Sequence, residues 1–167
     1  MGQPIKAGDV IFIRGKGIIS WLIKWIDKGE FSHVVMAMSD DTCINAEYGT
    51  RIAVVPFDYE DYEVIDLNLT KEQQELLSRI ASNHIGKRYD YGQILYILLK
   101  RFFKFKGGNR FNSPNNYICS ELVNDLLKSI EKIPDGIELT DCTPNQLYAY
   151  LSYQFNSTSS IDNPTVY

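Results

Sequence analysis

The chain has 167 residues, 44% of them hydrophobic and 23% charged, with a formal net charge of -4. That composition suits one ordinary globular core, and the acidic balance argues against a general nucleic-acid binder, which needs a basic footprint. Its three cysteines, Cys43, Cys119 and Cys142, form no Cys-x-x-Cys pair, which excludes a disulfide framework or zinc knuckle and fits a reducing compartment.

The first half reads as strands. Asp9 to Arg14 follows a Gly8 turn and has β-branched and aromatic content. Ile18 to Ile26 carries Trp21 and Trp25 four residues apart, which points to a short helix. Val34 to Met38 and Cys43 to Tyr48 flank Asp40-Asp41, a hairpin turn. Ile52 to Val55, closed by Pro56, and Tyr62 to Leu67 complete an antiparallel sheet of about five strands.

The second half turns helical. Thr70 and Gln73 make a capping box, Leu76, Leu77, Ile80, Ala81 and His84 line one face, and Gly86 is the expected stop. A further helix is expected from about Tyr89 to Phe103, broken by Lys106-Gly107-Gly108-Asn109. Cys119 opens an amphipathic helix that buries Ile118, Leu122, Val123, Leu126, Leu127 and Ile130. Thr143-Pro144 starts a short last helix, and from about Gln154 the composition becomes that of a loose tail. We therefore expect one domain over residues 1–155 and a flexible tail over 156–167. The first residues lack a signal-peptide core and no apolar run is long enough to span a bilayer, so cytoplasmic residence is the default.

Two residues carry the chemistry. Cys119 sits in the first turn of its helix, where partial positive charge favours thiolate over thiol, and a buried structural cysteine is the plainer alternative. His33 in the strand-like run Phe31 to Met38 is the candidate base, because imidazole titrates near neutral pH. The other histidine, His84, lies at a helix C-terminus, where a cation simply complements the dipole. A base needs an acceptor on its other ring nitrogen. Glu47 is the expected orienter, and Asn45, with the same strand parity, is the fallback. The Cys119 amide is the natural oxyanion donor. Tyr117 is suited to substrate or oxyanion contact or equally to packing, and Tyr48 is a second substrate-binding candidate. No two cysteines or histidines stand at ligand spacing, so neither a metal nor a cofactor is expected.

In this order the residues resemble the circularly permuted NlpC-type branch of the papain-like superfamily, especially its YiiX-like and poxviral members. The landmarks are Gly8-Asp9 leading a strand, Ser32-His33-Val34, Asn45-Ala46-Glu47 before Arg51-Ile52, Gly86 to Tyr91, and Tyr117 to Val123. The resemblance runs on to Thr143-Pro144-Asn145-Gln146-Leu147. It implies an α+β papain-like fold and a Cys–His–polar triad on Cys119, His33 and Glu47. Members of that family act on amide, peptide or ester bonds, and the resemblance does not choose among them. The leading expectation is a cysteine hydrolase (peptidase or amidase) acting on a small peptide or amino-acid amide. A lipid-directed thiol acyltransferase or phospholipase is the alternative, motivated by the cation–aromatic run Lys100 to Lys106 and implying a membrane partner. A non-catalytic papain-like binding module is the third reading.

Overall fold

Strand β1 (Val10–Ile13) is buried along its whole length because it is paired on both sides. The computed structural model describes residues 3–46, 51–89, 116–117, 119–134, 136–137, 139 and 142–156. Within them β2 (His33–Ala37), β3 (Thr42–Asn45), β4 (Ala53–Pro56) and β5 (Tyr62–Ile65) join β1 in a five-stranded antiparallel sheet, ordered β4-β3-β2-β1-β5. Four helices are described: α1 (Ile18–Asp27), α2 (Lys71–Ser82), α3 (Cys119–Ser129) and α4 (Pro144–Asn156). The class is α+β, as expected, and none of the described helices is long and apolar enough to cross a membrane.

Period-2 alternation divides the sheet into two covered faces. Val10, Phe12, Val34, Met36 and Ile44 face the helices, where α3 lies against β2 with α2 and α4 beside it. The stripe Leu122, Val123, Leu126, Leu127 and Ile130 is buried there, as the 3.6-residue period required. Ile11, Ile13, Val35, Ala37 and Cys43 face the other way and are covered by Phe57, Tyr59 and Tyr62.

That second cover follows from topology. β4 and β5 stand at opposite edges of the sheet, so four inter-strand steps of about 4.8 Å would separate them by about 19 Å if it were flat. Six residue steps from Pro56 to Tyr62 reach at most about 20–22 Å. The connection therefore crosses the sheet face nearly extended, tied to Asp41 O by the Phe57 amide (2.8 Å) and, through Asp61 O, to the Arg14 amide (3.0 Å). Tyr59, its midpoint, is carried over the middle strands.

Several boundaries differ from the sequence reading. Helix α2 has the expected Thr70–Gln73 capping box but ends at Ser82, with Asn83 as its cap; Gly86 lies beyond a further turn, at φ +85. Tyr89 does not start a helix: Arg88–Tyr89 (β6) pairs in parallel with Asn116–Tyr117 (β7), a two-residue contact between distant segments that leaves no periodic signal. The rest of the expected second helix, with Lys100 to Lys106, falls outside the described residues. Helix α4 continues through Gln154 to Asn156, because Leu147 and Leu151 anchor it in the core. Helix α1 forms where expected, with Trp21 and Trp25 stacked at 6.0 Å, and it leaves Ile18 and Trp21 exposed.

Candidate active site

Cys119 is the first residue of α3 and only 5% exposed. The helix start is pinned from below: Ser120, fully buried, donates its hydroxyl to the Cys142 carbonyl at 2.5 Å. The packing of α3 on β2 brings the thiol to the beginning of that strand, against the His33 side chain and the backbone amides of Val34 and Ser120.

His33 opens β2 and pairs with Ile13. The segment leading into it is clamped by one side chain from the far end of the chain. Asn145 accepts from the Phe31 amide (2.9 Å), and its Nδ2 donates to the Phe31 carbonyl (2.8 Å) and to Asp27 Oδ2 (2.6 Å). The clamp is braced in turn: Thr143 and Gln146 exchange bonds in a reciprocal capping box at the start of α4.

Beyond the ring, His33 Nε2 donates to Asn45 Oδ1 at 2.9 Å, and Asn45 Nδ2 donates to the Tyr59 hydroxyl at 2.9 Å. The donor assignment is forced, since an amide oxygen only accepts. With Nε2 engaged in this way, Nδ1 is the ring nitrogen left for the thiol. Asn45 reaches the ring diagonally. Its parity is that of Cys43, whose cross-strand partner Ala37 shares a face with Val35 and His33.

The electrostatics separate two buried thiols. Burial pushes Cys119 up, but the His33 charge, its hydrogen bond and the two amides outweigh it, so the thiol lies below its ordinary value. Cys142 has no such partner set: burial dominates, the Ser120 hydroxyl offsets only part of it, and the thiol is pushed up to about 12. A thiolate is thus favoured at one cysteine and suppressed at its neighbour.

Of the sequence candidates, the fold unites Cys119, His33 and Asn45. Glu47 and Tyr48 fall outside the described residues. Tyr117 lies on β7, two residues before Cys119. His84 is buried beyond α2, and burial followed by the Lys87 charge pushes it down, which disfavours the dipole-complementing cation expected. Sequence reasoning missed Tyr59, one of eleven tyrosines, and Asn145. Asn145 stood only within a landmark run and beside the Thr143-Pro144 helix start, which locate an element without revealing what the side chain touches. A cleft of about 350 Å³ reaches His33, bordered by Gly15, Lys16, Ser20, Asp58 and Tyr59.

No family model matches the chain, and no curated protein matches it. Among solved structures it is similar to the crystal structure of the metalloprotein YiiX from Escherichia coli O157:H7. The TM-score is 0.51 at 20% identity, with 91% of this chain and 83% of that one covered. At that identity the likeness is one of fold: the α+β arrangement is compatible with a YiiX-like fold. Whether the residues here suit a metal is a separate matter. Among the described residues no group of three or more His, Cys, Asp or Glu assembles, so they do not fit an ordinary metal centre.

Proposed function

We propose that this protein is a papain-like cysteine hydrolase of the permuted NlpC type, acting on an amide or peptide bond. The observation that carries the reading is the chain Cys119–His33–Asn45, in which a buried thiol is nonetheless held toward its ionised form. A structural cysteine in the same helix–sheet seam would be pushed the other way, as Cys142 is.

The proposed cycle starts with His33 Nδ1 taking the Cys119 proton while Nε2–H stays on Asn45. The thiolate forms a bond to the substrate carbonyl carbon, and the carbonyl π electron pair moves onto the oxygen. In this reading the α3 N-terminal amide of Cys119 receives that oxyanion. The carbonyl re-forms as the C–N bond breaks, and the amine leaves with the proton from His33. Water, deprotonated by the same ring, then releases the acid from the thioester. The 2.9 Å contact of Asn45 with Nε2 supports Asn45, the fallback of the sequence reading, as orienter in place of Glu47.

The test is the pH dependence of iodoacetamide labelling, resolved by cysteine, in wild type and His33→Ala. Fast labelling of Cys119 at or below neutral pH, lost in the variant, is expected, together with loss of turnover in Cys119→Ala on a screen of amide and ester substrates. Labelling of an accessible Cys119 that ignores His33 would remove the enzymatic reading and leave a binding module.

One observation favours a lipid-directed version of the same chemistry. Helix α1 contributes Ser20 to the cleft and exposes Ile18 (85%) and Trp21 (59%) beside it. Large apolar side chains next to a cleft suit an interfacial substrate. Co-sedimentation with anionic liposomes, lost in Trp21→Ser, is the expected result if lipid is the substrate; no binding rejects it.

A further inference from the structure

We propose that Tyr59 is a positioning residue for the His33 base, its hydroxyl fixing the Asn45 amide so that Oδ1 stays on Nε2. The proposal rests on the reading of Cys119 and His33 as nucleophile and base.

The argument begins with what the reacting state demands. When the thiol proton has moved to the ring, both imidazole nitrogens carry hydrogen, and only an acceptor can face Nε2. Asn45 must then present Oδ1, which leaves its Nδ2 hydrogens pointing away from the ring. Asn45 is 6% exposed, and a buried amide donor without an acceptor is unfavourable. The Tyr59 oxygen, 2.9 Å from Nδ2, supplies that acceptor. Without it the amide loses one of its anchors beside the ring, and the bond that stabilises the imidazolium is held less firmly.

Two further features single out this tyrosine. Its ring lies 6.2 Å from that of His33, inclined at 51°, and it lines both the cleft that reaches His33 and a neighbouring hollow that reaches Asn45. It therefore shares the wall of each opening with one partner of the His33–Asn45 bond. Its place is also imposed from outside the site: the 57–61 crossing is anchored at both ends and packed through Phe57 and Tyr62. The hydroxyl is thus held by the sheet topology and does not depend on Asn45 for its position.

The experiment measures Cys119 iodoacetamide labelling against pH in wild type, Tyr59→Phe, Asn45→Ala, the double variant and His33→Ala, with folding followed by near-ultraviolet circular dichroism. Tyr59→Phe keeps the packed ring and removes only the hydroxyl. The expected result is a rise of about half to one unit in the labelling midpoint, a roughly threefold to tenfold loss of thiolate at fixed pH. Tyr59→Phe should add no further shift once Asn45 is alanine, because the effect runs through that amide. An unchanged midpoint in Tyr59→Phe, or a shift of equal size in the Asn45→Ala background, would overturn the proposal. The underlying reading fails separately: if His33→Ala leaves the midpoint where it is, the base itself is misassigned. A shift with His33→Ala but none with Tyr59→Phe rejects only the role given to Tyr59.

Discussion

Replacing Asn145 by alanine should both weaken the fold and slow the candidate nucleophile. The amide makes three hydrogen bonds, two to the backbone of Phe31 and one to Asp27. Each typical bond is worth about 0.5–1.5 kcal/mol net, and partly buried backbone groups left unpaired add to the loss. Asp27 keeps the Thr143 hydroxyl at 2.6 Å, so its carboxylate is not stranded. Alanine near the start of α4 returns about 0.5 kcal/mol through helix propensity. The net expectation is about 2–3 kcal/mol, which for a chain of this size lowers Tm by roughly 4–12 °C. Because Phe31 lies two residues before His33, the variant should also label more slowly at Cys119 under conditions where it is fully folded. Denaturant unfolding gives the first quantity and cysteine-resolved iodoacetamide labelling the second. A loss under about 0.5 kcal/mol with unchanged labelling would refute the clamp.

Other substitutions probe neighbouring parts of the structure. Gly29→Ala puts a methyl group 2.1 Å from Asn145 Cγ, so the clamp must give way, at a cost of about 1–3 kcal/mol; a variant as stable as wild type in urea titration would contradict that packing. Phe12→Ala empties a fully buried position that meets the rings of Phe31 and Tyr148 at 5.5 and 5.1 Å, and should lose about 3–5 kcal/mol in the same titration. Burial and then the Lys87 charge push His84 down, so below its ordinary value the unfolded chain binds more protons than the folded one. Stability contributed there is complete above pH 6.5 and falls as the pH drops through the lowered folded value. His84→Gln should flatten that part of the Tm-against-pH curve, and an unchanged slope would show that the ring is solvated.

Local pattern was enough for much of this molecule. The β-branched run at Val10–Ile13, the Asp40-Asp41 turn, the Thr70 capping box and the apolar stripe of α3 each encode an element through interactions only a few residues long. Such signals survive without knowledge of the fold, and they also brought Cys119 to a helix start and His33 to a strand. Strand parity narrowed the orienter to Glu47 or Asn45. Parity alone could not say which side chain spans the diagonal to the ring, and the fold joins Asn45 to it. Residues separated by long stretches of chain gave no local sign. Tyr59 faces Asn45 because β4 and β5 lie at opposite sheet edges, and Asn145 reaches Phe31 across more than a hundred residues. Arg88–Tyr89 pairs with Asn116–Tyr117 on the same terms. Sequence by itself determined the five strands of the main sheet and the starts of α1 to α4, since periodicity and capping are short-range, but not the β6–β7 pair. Only tertiary structure decided how the nucleophile's environment is built, because hydrogen-bond partners and the balance between burial and charge depend on which distant groups the topology packs together.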